Sequence, residues 1–389
     1  MIFKTASPTS PDVSITIDNV PTNYLSLQRI SIEEKENNHN LVILDFSGLA
    51  PNTLFDFVDK PININISFPS LGGVNFYGYI GFLEPHSETK DGLVNKSAFQ
   101  ITRMYCFGTS YIMKSKKSKA WENVTISDIA KTIADIYKFS VSVPKDPYRF
   151  PRLVQSSKSD WEFLKETCNI LGYSLSARGT HLHIWDPFQA MNHRISYAVL
   201  KTITGLNGNV SPNVGQVLNF DATIGNVSTV GERTPETLHI LDKNNVILSV
   251  GGDLNKETSG LGTPLESLFT DTVSKNADSY EMANKFILGS LRHAFSMSAL
   301  VQISGNPTIK PGGIVKLDKY NTDFDGFWYV RSARHDITHS QLVTTLEIVK
   351  DSIGDANYTK EVTEDYAIPP TPSLINKRWV SSTNYVNTY

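Results

Sequence analysis

The chain has 389 residues, of which 40% are hydrophobic and 19% charged, with a formal net charge of −3. That length exceeds one ordinary hydrophobic core, so about two to four domains are expected, and the apolar content excludes a disordered chain. A near-balanced charge argues against a protein that works by neutralising phosphates and gives no reason to expect attraction to an anionic membrane. The two cysteines, Cys106 and Cys168, are too few for a disulfide framework. No stretch reaches the ~18–20 continuous apolar residues of a membrane-spanning helix, so no membrane anchoring is expected. The first residues, MIFKTASPTSPD, lack the apolar run of a signal peptide and read as those of a chain that folds in a cytoplasm.

Residues 11–115 read as strands separated by polar turns. Ile62, Ile64, Ile66 and Phe68 alternate with Asn63, Asn65 and Ser67, the period-two pattern of a strand with one buried face. Ser70 to Gly73 is the expected turn into Val74–Leu83, where Gly78 and Gly81 suggest a bend or bulge. Residues 98–107 alternate again. Lys114, Lys116, Lys117 and Lys119 follow and are read as a solvated linker, with a basic binding patch as the less favoured alternative.

Residues 120–195 change character. Thr125 and Asp128 start a helix whose apolar face is Ile126, Ile129, Ala130, Ile133 and Tyr137. A second helix starts at Ser159, with Glu162 three residues later at capping-box spacing. Trp161, Leu164, Cys168 and Leu171 form its apolar stripe, and Gly172 ends it. Tyr173, Leu175 and Ala177 then read as a strand, Gly179-Thr180 as a turn, and Leu182 and Ile184 as the buried positions of a return strand that carries His181 and His183 on its other face.

Beyond residue 195 the chain returns to strand and loop. Asn207-Gly208 is a turn signal, Val217–Thr223 a short strand, and residues 238–248 a hairpin about a DKNN turn. A polar stretch at 252–278 precedes a helix expected near 277–291. Ala299–Ile303, Ile314–Leu317, Phe327–Ala333 and Leu342–Val349 read as strands of a second β unit, with Asp325-Gly326 as a hairpin turn. In residues 353–389, Pro369, Pro370 and Pro372 stiffen an extended run. This tail is either disordered or laid on a neighbouring chain. Its spaced aromatics favour the second reading, with Trp379, Tyr385 and Tyr389 as partner-binding candidates.

Candidate chemistry is sparse. His181 and His183 share one face of a strand with Asp186 nearby, a conceivable metal site, yet the polar face of a hairpin accounts for both. Asp323-Phe324-Asp325-Gly326 resembles the start of a calcium loop but lacks the distal glutamate. Asp160, Glu162 and Glu166 could be imagined as glycosidase carboxylates, but nothing suggests that either glutamate is desolvated. HExxH, GxSxG, P-loop and GxGxxG motifs are absent, and His335 and His339 have no adjacent nucleophile. The reading therefore assigns no catalytic, cofactor-binding or metal residues and no cofactor, and it expects a non-enzyme.

Gln155, Ser156, Ser159, Asp160, Trp161, Phe163, Leu164, Gly172 and Tyr173 resemble the SDWEFL signature of the phage tail hub family, which includes late control protein D, the baseplate hub of contractile-tailed phages, and the N-terminal half of type VI secretion VgrG spikes. PGGIVKLD, GFWYVRSARHDIT and TTLEIV, within residues 311–350, resemble the family's last barrel. The resemblance implies a mixed α+β, mainly β fold: a β-barrel domain at 1–115, an α/β module at 116–195 and 236–292, a second barrel at 196–235 and 293–352, and an extended tail at 353–389. It further implies a structural hub in the virion tail baseplate, assembled late in the host cytoplasm. Three copies would form a pseudo-hexameric ring, a symmetry adaptor between a six-fold tail tube and a three-fold central spike. The expected partners are the homotrimer, tail tube protein, central spike protein, other baseplate proteins and tape measure protein, with DNA only in transit. Unlike fused spikes, the chain shows no OB-fold or β-helix repeat. The competing reading is a tail-associated peptidoglycan hydrolase or glycan-binding module, using Asp160, Glu162 and Glu166 or exposed Trp185 and Trp328.

Overall fold

The computed structural model describes residues 11–22, 26–47, 55–68, 72–86, 101–192, 197–201, 215–224, 238–241, 247–250, 263–264, 285 and 289, and 295–353 apart from 296, 319, 321–322, 339–340 and 351. The first unit contains β1 (Asp12–Ile17), β2 (Val20–Pro21), β3 (Ser26–Lys35), β4 (Leu41–Ser47), β5 (Pro61–Phe68), β6 (Gly72–His86) and β7 (Ile101–Gly108). The alternation read in β5 puts Ile62, Ile64, Ile66 and Phe68 into a core shared with Val13, Ile30, Val42, Phe46, Phe76 and Met104.

A layered α/β module follows. It has β8 (Lys116–Val124), α1 (Ile126–Tyr137), β9 (Ser140–Ser142), β10 (Phe150–Ser159), α2 (Asp160–Leu171), β11 (Ser174–Arg178), β12 (His181–Trp185) and α3 (Pro187–Asn192). The expected lysine linker is instead strand β8, paired antiparallel with β10. Only Trp121 of β8 is buried, so its open face tolerates charge while its backbone satisfies the β10 ladder. Helices α1 and α2 are capped as their sequence dictates: Thr125 with Asp128, and Ser159 with Glu162, both form complete capping boxes. Gly172 takes φ 70° at the end of α2. There a Cβ would lie 2.5 Å from the carbonyl oxygen of Gly289, so only glycine fits. Trp161, Leu164, Cys168 and Leu171 pack with Ile129, Ile133, Leu175 and Leu182 in a second core, each large side chain contributing roughly 1.5–3 kcal/mol.

The rest of the chain contains β13 (Tyr197–Lys201), β14 (Val217–Ile224), β15 (Leu238–Leu241), β16 (Ile247–Val250), β17 (Thr263–Pro264), β18 (Met297–Ser304), β19 (Ile314–Asp318), β20 (Gly326–Ile337), β21 (Leu342–Lys350) and β22 (Ser352–Ile353). Strands β15 and β16 pair antiparallel, as expected of a hairpin there, and the DKNN turn lies outside the described residues. A third core gathers Met297, Val301, Leu317, Trp328, Val330, Leu346 and Ile348. The mainly β, mixed α+β class expected from the sequence is the class the chain adopts. Its two β units are joined edge to edge in one 13-stranded sheet, and no closed barrel is formed by the described strands.

The two units repeat one topology. The first runs β3-β4-β7-β6-β5-β1 and the second β14-β18-β21-β20-β19-β13. In sequence order, both follow second-third-sixth-fifth-fourth-first. The likeness extends to register. The third strand meets the sixth at Val42–Cys106 and at Ala299–Ile348. The fifth meets the sixth at Ile80–Cys106 and Val330–Ile348, each followed by a one-residue bulge before Phe82–Tyr105 and Ser332–Glu347. The second strands carry a matching bulge, between Leu27 and Arg29 and between Val217 and Asn219. Even the irregular bonds correspond: Ile80 N–H donates to the Lys60 carbonyl as Val330 N–H donates to that of Gly313. The outermost pair differs, since β1 meets β5 antiparallel whereas β13 meets β19 parallel. Bulges bend strands and are features of a particular fold. Two bulges at equivalent places therefore mark a structural repeat, which little sequence identity betrays.

Candidate assembly surface

The two units and the α/β module meet at one buried polar cluster. Ser332 to Ile337 of β20 pair with Lys35 to Ile30 of β3, joining the second unit to the first. Just beyond this ladder, Glu36 enters the interior. Its Oε2 accepts hydrogen bonds from the Ser174 and Tyr329 hydroxyls, both at 2.8 Å. The Trp185 indole N–H donates to the Tyr329 hydroxyl at 2.9 Å, and Arg331 Nε lies 3.4 Å from Glu36 Oε1. Burial pushes the Glu36 carboxyl above its ordinary value, against the hydrogen bonds from Ser174 and Tyr329 and the charge of Arg331. Burial beside that carboxylate also raises the Tyr329 phenol.

Further bonds brace the same corner. Asn37 N–H donates to the Leu175 carbonyl and Leu175 N–H to Asn37 Oδ1. Asn40 reaches the Ala177 carbonyl, and Arg178 that of Pro311. His39 stacks on Trp161, with centroids 4.8 Å apart. Trp161 therefore anchors the first unit to α2, which gives a physical role to the tryptophan of the SDWEFL stretch. The arrangement holds two β units in fixed relation and leaves their outer edges available.

The carboxylates raised as hydrolytic candidates have structural partners. Asp160 is buried and accepts from Lys117 Nζ at 2.6 Å, the Tyr137 hydroxyl at 2.7 Å and Gln155 Nε2 at 2.9 Å. Burial raises its pKa, but those three donors outweigh burial and hold it below the ordinary value. Glu162 is held low by the Ser159 amide and hydroxyl that it caps. Glu166 pairs with Lys158 at 2.5 Å. A general acid needs a raised pKa, and the two shifted groups move the other way.

Trp185 and Trp328, expected as exposed sugar platforms, are both buried. Their indole N–H groups are occupied by Tyr329 and by the Phe324 carbonyl. Strand alternation placed Trp328 correctly in the fold but did not tell its face. His181 and His183 lie over the serines of β9: Ser140 is 2.8 Å from His181 Nδ1, and Ser142 2.5 Å from His183 Nδ1. Burial lowers His183 to about 4. Asp323 to Asp325 lie in the β19–β20 connection, where Asp325 Oδ1 accepts from the Tyr320 amide, and Gly326, expected in the turn itself, is instead the first residue of β20, opposite Leu317. His335 is buried against Thr344, and His339 lies outside the described residues. The partner-binding candidates Trp379, Tyr385 and Tyr389 also lie outside them, as do the rest of the tail beyond 353 and the Asn207-Gly208 turn.

What sequence reading missed is a set of exposed apolar side chains on the units' edges and ends. Phe82, Tyr197, Leu218, Ile224 and Leu300 are 43%, 44%, 45%, 62% and 48% exposed. Phe55, at 86%, stands beside Val20 and Val58 at one end of the first unit. In sequence these look like ordinary strand residues, and only solvent access separates them from core. Two lysines of this run also acquire aromatic partners invisible to spacing: Lys119 Nζ of β8 sits 3.5 Å from the Trp121 ring centroid, and Lys114 Nζ, just before β8, 3.9 Å from that of Tyr111.

The fold is that of solved tail proteins. The 43 kDa tail protein of prophage MuSo2 from Shewanella oneidensis aligns with a TM-score of 0.60 at 12% identity, over 88% of this chain and 99% of that one. A tail protein from Neisseria meningitidis MC58 aligns with a TM-score of 0.60 at 12% identity, over 88% and 97%. The E. coli c3393 protein, a component of the type VI secretion system similar to T4 bacteriophage tail proteins gp27 and gp5, aligns at 0.52 and 9% identity, over 92% and 79%. The tail-hub resemblance read from the sequence is thus borne out in fold. No curated protein matches the chain by sequence. Residues 104–339 match the Alg8 N-terminal domain family, and because that match spans more than half of the chain, this protein belongs to the Alg8 N-terminal domain family.

Proposed function

We propose that the chain is a structural, non-enzymatic hub of a phage tail baseplate or related contractile injection system. In this reading three copies form a ring that joins a six-fold tail tube to a three-fold spike, leaving a central passage for tape measure protein and DNA. The observation that carries it is the register-level repeat of the two β units. A hexameric tube end offers six equal docking faces, and a trimer meets all six only when each chain supplies two equivalent faces. The likeness in fold to phage tail and type VI secretion proteins supports the same reading. We assign the tube-facing role to the two units, with the α/β module as the brace between them. The tail beyond residue 353 is the arm that reaches the spike or an adjacent hub.

Electron microscopy of the purified chain tests this. A three-fold ring with six similar lobes is expected, and an isologous dimer would overturn it. Deleting residues 366–389 should weaken assembly with spike or tube while leaving the ring intact, and unchanged assembly would remove the tail from the reading. The pure protein is expected to leave purified peptidoglycan intact. Clearing that is abolished by Glu162→Gln would revive the hydrolase reading.

A further inference from the structure

The repeat exposes an asymmetry in how its strand edges are used. In the second unit, β20 runs past the start of β19, whose first partner on that side is Ile314 with Tyr329. The overhang, residues 332–337, is filled by β3. In the first unit β6 runs past the start of β5 in the same way, with Pro61 facing Tyr79 as the limit of their ladder. Among the described residues its overhang, 82–86, pairs only with β7. At the opposite ends, β3 lies between β4 and β20, whereas the equivalent β14 has β18 on one side alone. Among the described residues the chain therefore carries one junction of overhang with second strand already made, and the two halves of an identical junction unmade.

Among the described residues nothing pairs with the open edge of either half, and both carry exposed side chains. Glu84, Pro85 and His86 are exposed, as are Asp221 and Thr223. Phe82 is 43% exposed and Ile224 62%. A bare strand edge with an apolar residue on it is a pairing template unless something occupies it.

We propose that these edges pair with each other between copies: the β6 overhang of one chain with β14 of the next, antiparallel, head to tail. This rests on the hub reading above and names the contact that would build its ring. The repeat dictates the register. Ala333 meets Glu34 and Asp336 meets Ser31 within the chain; by equivalence Leu83 meets Ile224, Glu84 meets Thr223, Pro85 meets Ala222 and His86 meets Asp221 across copies. Leu83 and Ile224 then bury each other on the core face, and His86 meets a carboxylate on the outer face. Pro85, which has no N–H, makes this ladder poorer in donors than the one within the chain and blunts the overhang against pairing with a second overhang. Because each chain offers one half of each kind, the contact is heterologous and closes as a ring when the rotation permits. In a three-chain ring every junction between neighbouring units, within or between copies, would then have one geometry.

Cross-linking tests the register. Directly opposed residues of antiparallel strands place their Cβ atoms about 4.5–5.5 Å apart, close to disulfide geometry. The resident thiols, Cys106 and Cys168, are buried and do not compete. The double variant Glu84→Cys/Thr223→Cys of the full chain, mildly oxidised at concentrations where the wild type associates, is expected to give covalent dimers and trimers on a denaturing, non-reducing gel, and either single variant none. Ile224→Lys, at an exposed position that leaves the fold intact by circular dichroism, should weaken self-association about tenfold or more. Copies that associate as a trimer yet neither cross-link nor respond to Ile224→Lys would overturn this pairing and leave the ring standing. A chain that stays monomeric at every concentration, with no cross-link, would overturn both.

Discussion

The Tyr329 hydroxyl donates to Glu36 Oε2 at 2.8 Å across a sequence separation of 293 residues, and the same hydroxyl accepts the Trp185 indole N–H. Three parts of the chain thus share one buried oxygen. Tyr329→Phe removes a donor from a buried carboxylate and strands the indole, so it should cost about 2–3 kcal/mol in urea unfolding. Glu36→Gln keeps an acceptor and removes a buried charge, so a milder loss is expected. If Glu36→Gln were the more damaging, the pairing with Arg331 would outweigh the hydroxyl bonds.

The α2 termini make separate contributions. Ser159→Ala removes the cap that accepts from the Glu162 amide and should cost about 1 kcal/mol. Gly172→Ala forces a side chain into a left-handed residue and against the Gly289 backbone, where no flexible atom can yield, so the larger loss is expected there. Thermal melts of both variants check the order.

Lys117 faces Asp160, which is almost wholly buried. Lys117→Met leaves that carboxylate charged with only Gln155 and Tyr137 as donors, and should destabilise by roughly 1–3 kcal/mol. The double variant Lys117→Met/Asp160→Asn should recover part of the loss. A double variant no better than the single would show that the ion pair is not the reason Lys117 matters.

Acid should weaken the protein in two separate windows. Burial lowers His335 to about 4 from 6.5, outweighing a backbone hydrogen bond and the charge of Asp336. Between those values the unfolded chain binds the proton and the folded chain does not, so stability falls as pH drops from 6.5 toward 4, by on the order of 3 kcal/mol for this nearly enclosed group. Asp146, Asp160 and Asp336, all held below 3.8 in the folded chain, lose their contribution only beneath that value. Urea titrations at pH 7 and 4.5 should show the first window shrink in His335→Gln, which can still meet Thr344. An unchanged slope would assign the acid sensitivity to the other low histidines, His39 and His183.

The amino-acid sequence by itself determined the local structure. Alternation in β5, the capping boxes at Thr125 and Ser159, the stop at Gly172 and the bulge at Gly81 all depend on neighbours within a few residues, and the structure has each of them. The lysine run carries no strand signal because an exposed strand such as β8 needs no apolar alternation, only a partner ladder, and β10 lies some thirty residues on. The buried faces of Trp185 and Trp328 differ from the sequence expectation because an aromatic side chain reads alike on either side of a strand until the facing layer is known. Tertiary structure alone decided that Glu36 enters the interior, that β20 bridges two units, and which strand edges stay open. Those outcomes depend on pairings between segments hundreds of residues apart, and hydrogen-bond register, unlike hydrophobic period, leaves no trace in the spacing of side chains.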